Sequence, residues 1–291
     1  MWRGGWGLVG LLAGVVLLSG CRPPDERMVE QEPPPPVTKT PTPPPRPQAR
    51  SAEPRKVVLG KSVEGRPIEL IELGPGGDVV FIMASIHGDE PAGTPLVRRL
   101  AEHLARNPAL LKGRRVLILP VANPDGLHHR TRGNARGVDL NRNFPSGNYR
   151  AGGGRGQAAL SEPESVAIHK VLKEYRPTRI ISLHQPIRYG SACVDYDGPT
   201  ADLARIMSEH SGLPMMRLGG REGSLGSYAG TTLGIPIITV ELPPAATQWS
   251  ESTLWARYGR MMLAAVRYPE RPALAAGDSP PGDELVEADP N

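Results

Sequence analysis

Three apolar, β-branched runs in this chain each stop at a side chain able to bind a metal or move a proton. Val79–Ile86 runs into His87-Gly88-Asp89-Glu90, Ile180–Leu183 into His184, and Ile235–Val240 into Glu241. Short runs with no polar alternation are the pattern of strands buried on both faces. Such strands need helices on each side of the sheet, and the sequence between them supplies helical stretches at 91–106, 163–175, 200–211 and 248–267. Val57–Leu59, Ile68–Leu73 and Val116–Val121 read as further strands. Ser161, Pro163 and Glu164 predict a capping box at the start of the second helix, with Pro in its first turn. The expected fold is an α/β sandwich around a buried sheet.

The two ends of the chain cannot join that core. Arg3 followed by the eleven-residue apolar run Leu8–Leu18 reads as an export signal, because a membrane-spanning helix needs about 20 residues. Leu18-Ser19-Gly20-Cys21 resembles the bacterial lipoprotein box, which implies a lipidated Cys21 as the first mature residue and a membrane as partner. Arg22 stands where an inner-membrane retention signal has Asp, so an outer membrane is favoured if the organism has two. Twelve of the 33 prolines fall between Arg22 and Pro54, so 21–54 reads as the lipidated Cys and an extended tether. Residues 270–291 read as an acidic, disordered tail. One domain, 55–269, remains. With Cys21 used, Cys193 is unpaired and reads as a small buried apolar side chain.

The net charge of +4 understates that domain, which carries 27 Lys and Arg against 19 Asp and Glu. A basic body suits an anionic partner. The cations are scattered and aromatics make up only 4% of the chain, so no nucleic-acid partner is expected. An acidic peptide fits better.

A lone His-x-x-Glu is incidental more often than not. Here His87 and Glu90 are matched by His184 at the end of a separate strand, and strand ends on one edge of an α/β sheet are where ligand sites form. Two imidazoles and a carboxylate, with a fourth position free, are the ligands of a catalytic zinc. Glu241, at a third strand end, suits a general base, with a merely structural carboxylate as the bland alternative. His103, His128, His129, His169 and His210 have no partner spacing and read as surface residues. Gly152–Gly154 with Gly156 lacks the Lys-Ser/Thr of a phosphate loop and reads as a loop at the cleft.

Residues from about 57 to 267 resemble the zinc carboxypeptidase family, the carboxypeptidase A-like peptidases. The likeness rests on His87-x-x-Glu90, Asn123-Pro124-Asp125-Gly126, Asp139-Leu140-Asn141-Arg142-Asn143-Phe144-Pro145, His184 and Glu241, all in the family's order. It implies a mixed, mostly buried central sheet flanked by helices, and one Zn2+ on His87, Glu90 and His184. Glu241 matches the general acid/base, and Asn141 with Arg142 the pair that grips the substrate's terminal carboxylate. Arg132 matches the arginine that stabilises the oxyanion, with Arg136 a nearby rival. Asp139 is expected to orient the Asn141–Arg142 loop.

Within the family the likeness is greatest to the murein peptide amidase branch, which cuts γ-D-glutamyl–diaminopimelate bonds in cell-wall peptides. It rests on Gly65-Arg66-Pro67-Ile68, Val194-Asp195-Tyr196-Asp197-Gly198-Pro199 and Gly223-Ser224-Leu225-Gly226-Ser227-Tyr228. A cell-wall muropeptide is then the implied substrate, and Asp195 or Asp197, in the loop after His184, could pair with the diaminopimelate amine. Gly219-Gly220-Arg221-Glu222 departs from the branch's pattern and leaves the specificity open. Tyr228 is a weak candidate to cover the active site. Two other readings are a general carboxypeptidase on ordinary peptides and a wall-binding lipoprotein that has lost the chemistry.

Overall fold

The computed structural model describes residues 54–185 and 192–269. The signal segment, Cys21, most of the tether and the acidic tail lie outside the described residues. Eight strands form one sheet: β1 (Arg55–Lys61), β2 (Pro67–Leu73), β3 (Asp78–Ala84), β4 (Arg114–Leu119), β5 (Arg179–His184), β6 (Cys193–Asp197), β7 (Met215–Met216) and β8 (Ile237–Glu241). Their spatial order is β1-β2-β4-β3-β5-β8-β6-β7. The central strands β4, β3, β5 and β8 run parallel, while the β1–β2, β2–β4 and β8–β6 pairings are antiparallel. The sheet is therefore mixed, as the family resemblance implied.

Alternation along β3 explains its unbroken apolar run. Val80, Ile82 and Ala84 enter one core, under α1 (Gly93–Arg106), α4 (Ala201–Ser211) and α5 (Glu251–Arg267). Val79, Phe81 and Met83 enter the other, under α3 (Pro163–Tyr175) and the segments around Phe144 and Tyr228. Both faces are dry, so neither set of side chains can be polar. A short α2 (Pro124–His129) follows β4 and is capped by Asn123, whose Oδ1 accepts from Gly126 N–H at 2.9 Å.

Several details differ from the sequence expectation. Ser85 and Ile86 are not part of β3: Ser85 has φ 50°, a left-handed turn that swings the chain out of the sheet towards His87. The capping box at α3 does not form. Glu162 holds the N-cap position without a side-chain bond to the helix backbone, and the Glu164 carboxylate accepts instead from Val63 N–H and Asn134 Nδ2. Asp195 and Asp197 stand on β6 rather than in a loop.

Candidate active site

The parallel strands β3, β5 and β8 deliver His87, Glu90, His184 and Glu241 to one edge of the sheet. His87 Nδ1 lies 2.9 Å from Glu90 Oε1 and 3.2 Å from His184 Nδ1, and His184 Nδ1 lies 3.0 Å from Glu90 Oε2. All three residues are buried, and their ligand atoms lie within 4.8 Å of one another. A nitrogen–nitrogen–carboxylate set of this kind fits zinc.

The electrostatics agree. Burial pulls the His87 imidazole pKa down, but Glu90 and Asp139 outweigh it and raise it to about 9. Burial opposes charge on Glu90, yet His87 and His184 hold its carboxyl well below the usual range. A pocket that favours positive charge among fixed anions also favours a dication.

Neighbouring groups fix these ligands. His87 Nε2 lies 3.0 Å from Asp139 Oδ1, which leaves Nδ1 to face the cluster, and Gln185 N–H donates to Glu90 Oε2 at 3.0 Å. Gly88 touches the backbone of Gly126 so closely that a Cβ on it would overlap the Gly126 carbonyl. Asn123 Nδ2 donates to Ile86 O at 3.3 Å, tying the turn before His87 to α2. The Asn123–Gly126 tetrapeptide thus supports the metal loop.

Arg132 reaches the cluster from the loop after α2. Its Nε donates to Asp139 Oδ2 and its Nη1 to Glu90 Oε1, both at 3.0 Å. Burial works against its charge, but Asp139 and Glu90 raise its pKa further. Arg136 turns away, with Nη1 3.4 Å from Glu162 Oε2, so only Arg132 of the two stands beside the metal cluster.

Asp139 does orient the following loop, accepting from Asn141 N–H at 2.9 Å, and in addition it braces His87 and Arg132. In the turn Leu140–Arg142 and just after it, Leu140, Asn143 and Phe144 are buried while Asn141 and Arg142 stay partly exposed. Asn141 Oδ1 accepts from Leu225 N–H at 2.9 Å, which leaves its amide nitrogen to donate elsewhere.

Glu241 is the register partner of His184 on one side and of Cys193 on the other. Its carboxylate has no hydrogen-bond partner among the described residues. Burial, with Glu90 adding to it, pushes its pKa above the usual value despite the imidazole of His184. A raised carboxylate pKa of this kind suits proton transfer. Cys193 is buried and free, and burial followed by Glu241 lifts its thiol to about 11, which keeps it an inert thiol.

Three readings are corrected. Tyr228 does not cover the cleft: its ring is buried, stacked on Phe144 with 6.1 Å between centroids, and its hydroxyl lies 3.0 Å from His169 Nδ1. His169 is therefore a half-buried partner of Tyr228 and not a free surface residue. Asp195 is already engaged, since its Oδ1 accepts from Leu218 N–H at 2.7 Å.

The chain belongs to the zinc carboxypeptidase family, which matches residues 48–209. It is thus a metallopeptidase whose cofactor is zinc, and the donor set described above fits that ion. Murein peptide amidase A of Escherichia coli K12 is 31% identical over 195 residues, covering 60% of this chain and 76% of that protein. Murein peptide amidase A of Vibrio campbellii is 33% identical over 208 residues, covering 64% and 78%. The crystal structure of murein-tripeptide amidase from Escherichia coli O157 superposes with a TM-score of 0.56 at 26% identity, over 72% of this chain and 93% of that one. Glu241 lies beyond the family match, so its assignment rests on its place in the sheet.

Proposed function

We propose that this chain hydrolyses a peptide amide next to a free carboxylate, and that its substrate is the γ-D-glutamyl–diaminopimelate bond of peptidoglycan peptides. The observation that carries the reading is the pair Asn141 and Arg142 beside the His87–Glu90–His184 cluster. Arg142 has no carboxylate within ion-pair distance among the described residues; its one bond is from Nη1 to the Asn141 carbonyl at 2.6 Å. A guanidinium fork held half-buried and unpaired suits a planar anion supplied by the substrate. The likeness to murein peptide amidases supports the choice of bond.

His87, Glu90 and His184 would hold the zinc. When bound, zinc supplies a Lewis acid that polarises the scissile carbonyl and acidifies water. Asn141 and Arg142 orient the peptide by the carboxylate of the residue to be released. Glu241 takes the proton from the attacking water and passes it to the departing amine. Arg132 stands where negative charge develops on the carbonyl oxygen and stabilises it.

We also propose that the chain is a lipoprotein held in a membrane through Cys21, facing the periplasm or cell wall, with 55–269 as the working domain. The support is the Leu18-Ser19-Gly20-Cys21 sequence and the proline-rich stretch after it.

The tripeptide L-Ala-γ-D-Glu-meso-diaminopimelate tests the substrate. Mass spectrometry should detect free diaminopimelate, and amidating the carboxylate beside the scissile bond should abolish its release. A preference for ordinary α-linked peptides would instead make the chain a general carboxypeptidase, in line with its 35% identity to Arabidopsis carboxypeptidase SOL1 over 43% of the chain.

A further inference from the structure

The segment 219–225 is stitched to the segment 141–146. Phe144 N–H donates to Gly223 O at 2.9 Å, Leu225 N–H to Asn141 Oδ1 at 2.9 Å, and Gly223 N–H to Ser146 Oγ at 3.1 Å. Gly223 has φ +66° and lies so close to the Arg142 carbonyl that a Cβ there would overlap it. Arg221, two residues earlier, is thereby carried to the rim where Arg142 stands. Its backbone is held, because its carbonyl accepts from Ser224 N–H at 3.0 Å and from Ser227 Oγ at 2.8 Å.

The Arg221 side chain is exposed and has no acidic partner among the described residues. Arg150 and Arg155, by contrast, both reach Glu222, at 3.3 and 3.7 Å. Burial lowers the pKa of Arg142, Asp139 opposes this, and the cations of Arg132, Arg221 and Arg155 lower it further, so these charges feel one another. Two unpaired guanidiniums on one rim repel, and bound anions relieve that repulsion. One carboxylate serves Asn141 and Arg142, which leaves the second cation for another.

We infer that Arg221 is a specificity-determining residue that grips a second substrate carboxylate, additional to the one beside the scissile bond. The inference rests on the proposed reaction but not on the γ-linkage. A γ-D-glutamyl–diaminopimelate peptide offers two such groups. One is the far carboxylate of diaminopimelate, and the other is the glutamyl α-carboxylate that γ-linkage leaves free.

The test compares the full chain with its Arg221→Gln variant on three substrates. These are L-Ala-γ-D-Glu-meso-diaminopimelate, the same tripeptide ending in L-Lys, and the tripeptide with its glutamyl α-carboxylate amidated. Arg221→Gln should lower kcat/KM on the parent about 10- to 100-fold, chiefly through KM, as the loss of a charge-assisted fork predicts. Arg221→Lys should restore part of it. One of the two analogues should show a similar loss with the unaltered chain that Arg221→Gln does not deepen, and that analogue names the carboxylate. No loss on the parent, or an equal loss on all three, overturns the inference. If the unaltered chain leaves every γ-linked peptide intact, the proposed substrate fails separately. The comparison then moves to α-linked peptides ending in Glu or Gln, where the preference for Glu should collapse in Arg221→Gln, and a preference that survives overturns the inference.

Discussion

His184 and Glu241 are register partners on the neighbouring parallel strands β5 and β8. Backbone pairing, rather than a side-chain bond, sets the distance from a metal ligand to the Glu241 carboxylate. Glu241→Gln should therefore leave the fold and zinc content intact while lowering kcat by about 10²–10⁴. Elemental analysis and steady-state turnover on the same preparation check both halves. Full activity would remove Glu241 from the mechanism, and loss of zinc would move it into the ligand set.

Arg132 and Arg136 separate cleanly by substitution. Arg132 bonds Glu90 and Asp139, while Arg136 leans on Glu162. Arg132→Ala should cost about 10²–10³ in kcat, the usual worth of one oxyanion-stabilising group. Arg136→Ala should change kcat by no more than about twofold, as surface substitutions do. The opposite order of sensitivity would exchange their roles.

Stability should fall in acid through Asp78, at the start of β3 and so at the end of the strand away from the site. Its Oδ1 and Oδ2 accept from Arg179 Nη1 and Nη2 at 2.8 and 3.1 Å, and Arg179 also donates to the Ala265 and Val266 carbonyls of α5. Burial alone would raise the Asp78 pKa, but the Arg179 and Thr178 bonds bring it below the usual carboxylate value. A depressed folded value stabilises the protein above the unfolded pKa of about 4, and this is lost as pH falls through the folded value. Asp78→Asn should lose about 1–3 kcal/mol at pH 7. Denaturant melts should show the gap between the two proteins closing towards pH 3; a gap independent of pH would refute the assignment.

Anchoring is checked by Cys21→Ser. Without a thiol to acylate, the chain should leave the membrane fraction or remain unprocessed at its N-terminus. A processed Ser variant that still sediments with membranes would contradict the lipoprotein proposal.

The strand exits carrying His87, His184 and Glu241 were legible because strands buried on both faces read as mostly apolar runs, broken only by small hydroxyl residues such as Ser182 and Thr239, until a charged or metal-binding side chain ends them. β6 was not, since Cys193-Val194-Asp195-Tyr196-Asp197 alternates acids with apolar residues in a strand near the sheet edge. The helix boundary at Ser161–Glu164 read as a local box, but Glu164 is claimed by Val63, 101 residues away. Arg132 and Arg136 share one glycine-containing loop, and only the position of Asp139 and Glu90 in space tells them apart. Tyr228 faces the core because Gly226–Thr232 winds as a π-helical turn, for which the sequence carries no clear signature.

The sheet order has a consequence in time. β8 is the last strand among the described residues, yet it sits between β5 and β6. A nascent chain acquires all three metal ligands by His184, well before the strand that bears Glu241 has been made. Until that strand arrives, β5 lacks a neighbour on one side and the cluster lacks the Glu241 carboxylate. A partly synthesised chain, or one clipped before Ile237, holds the ligands without Glu241. On the proposed mechanism, turnover waits for the sheet to be finished.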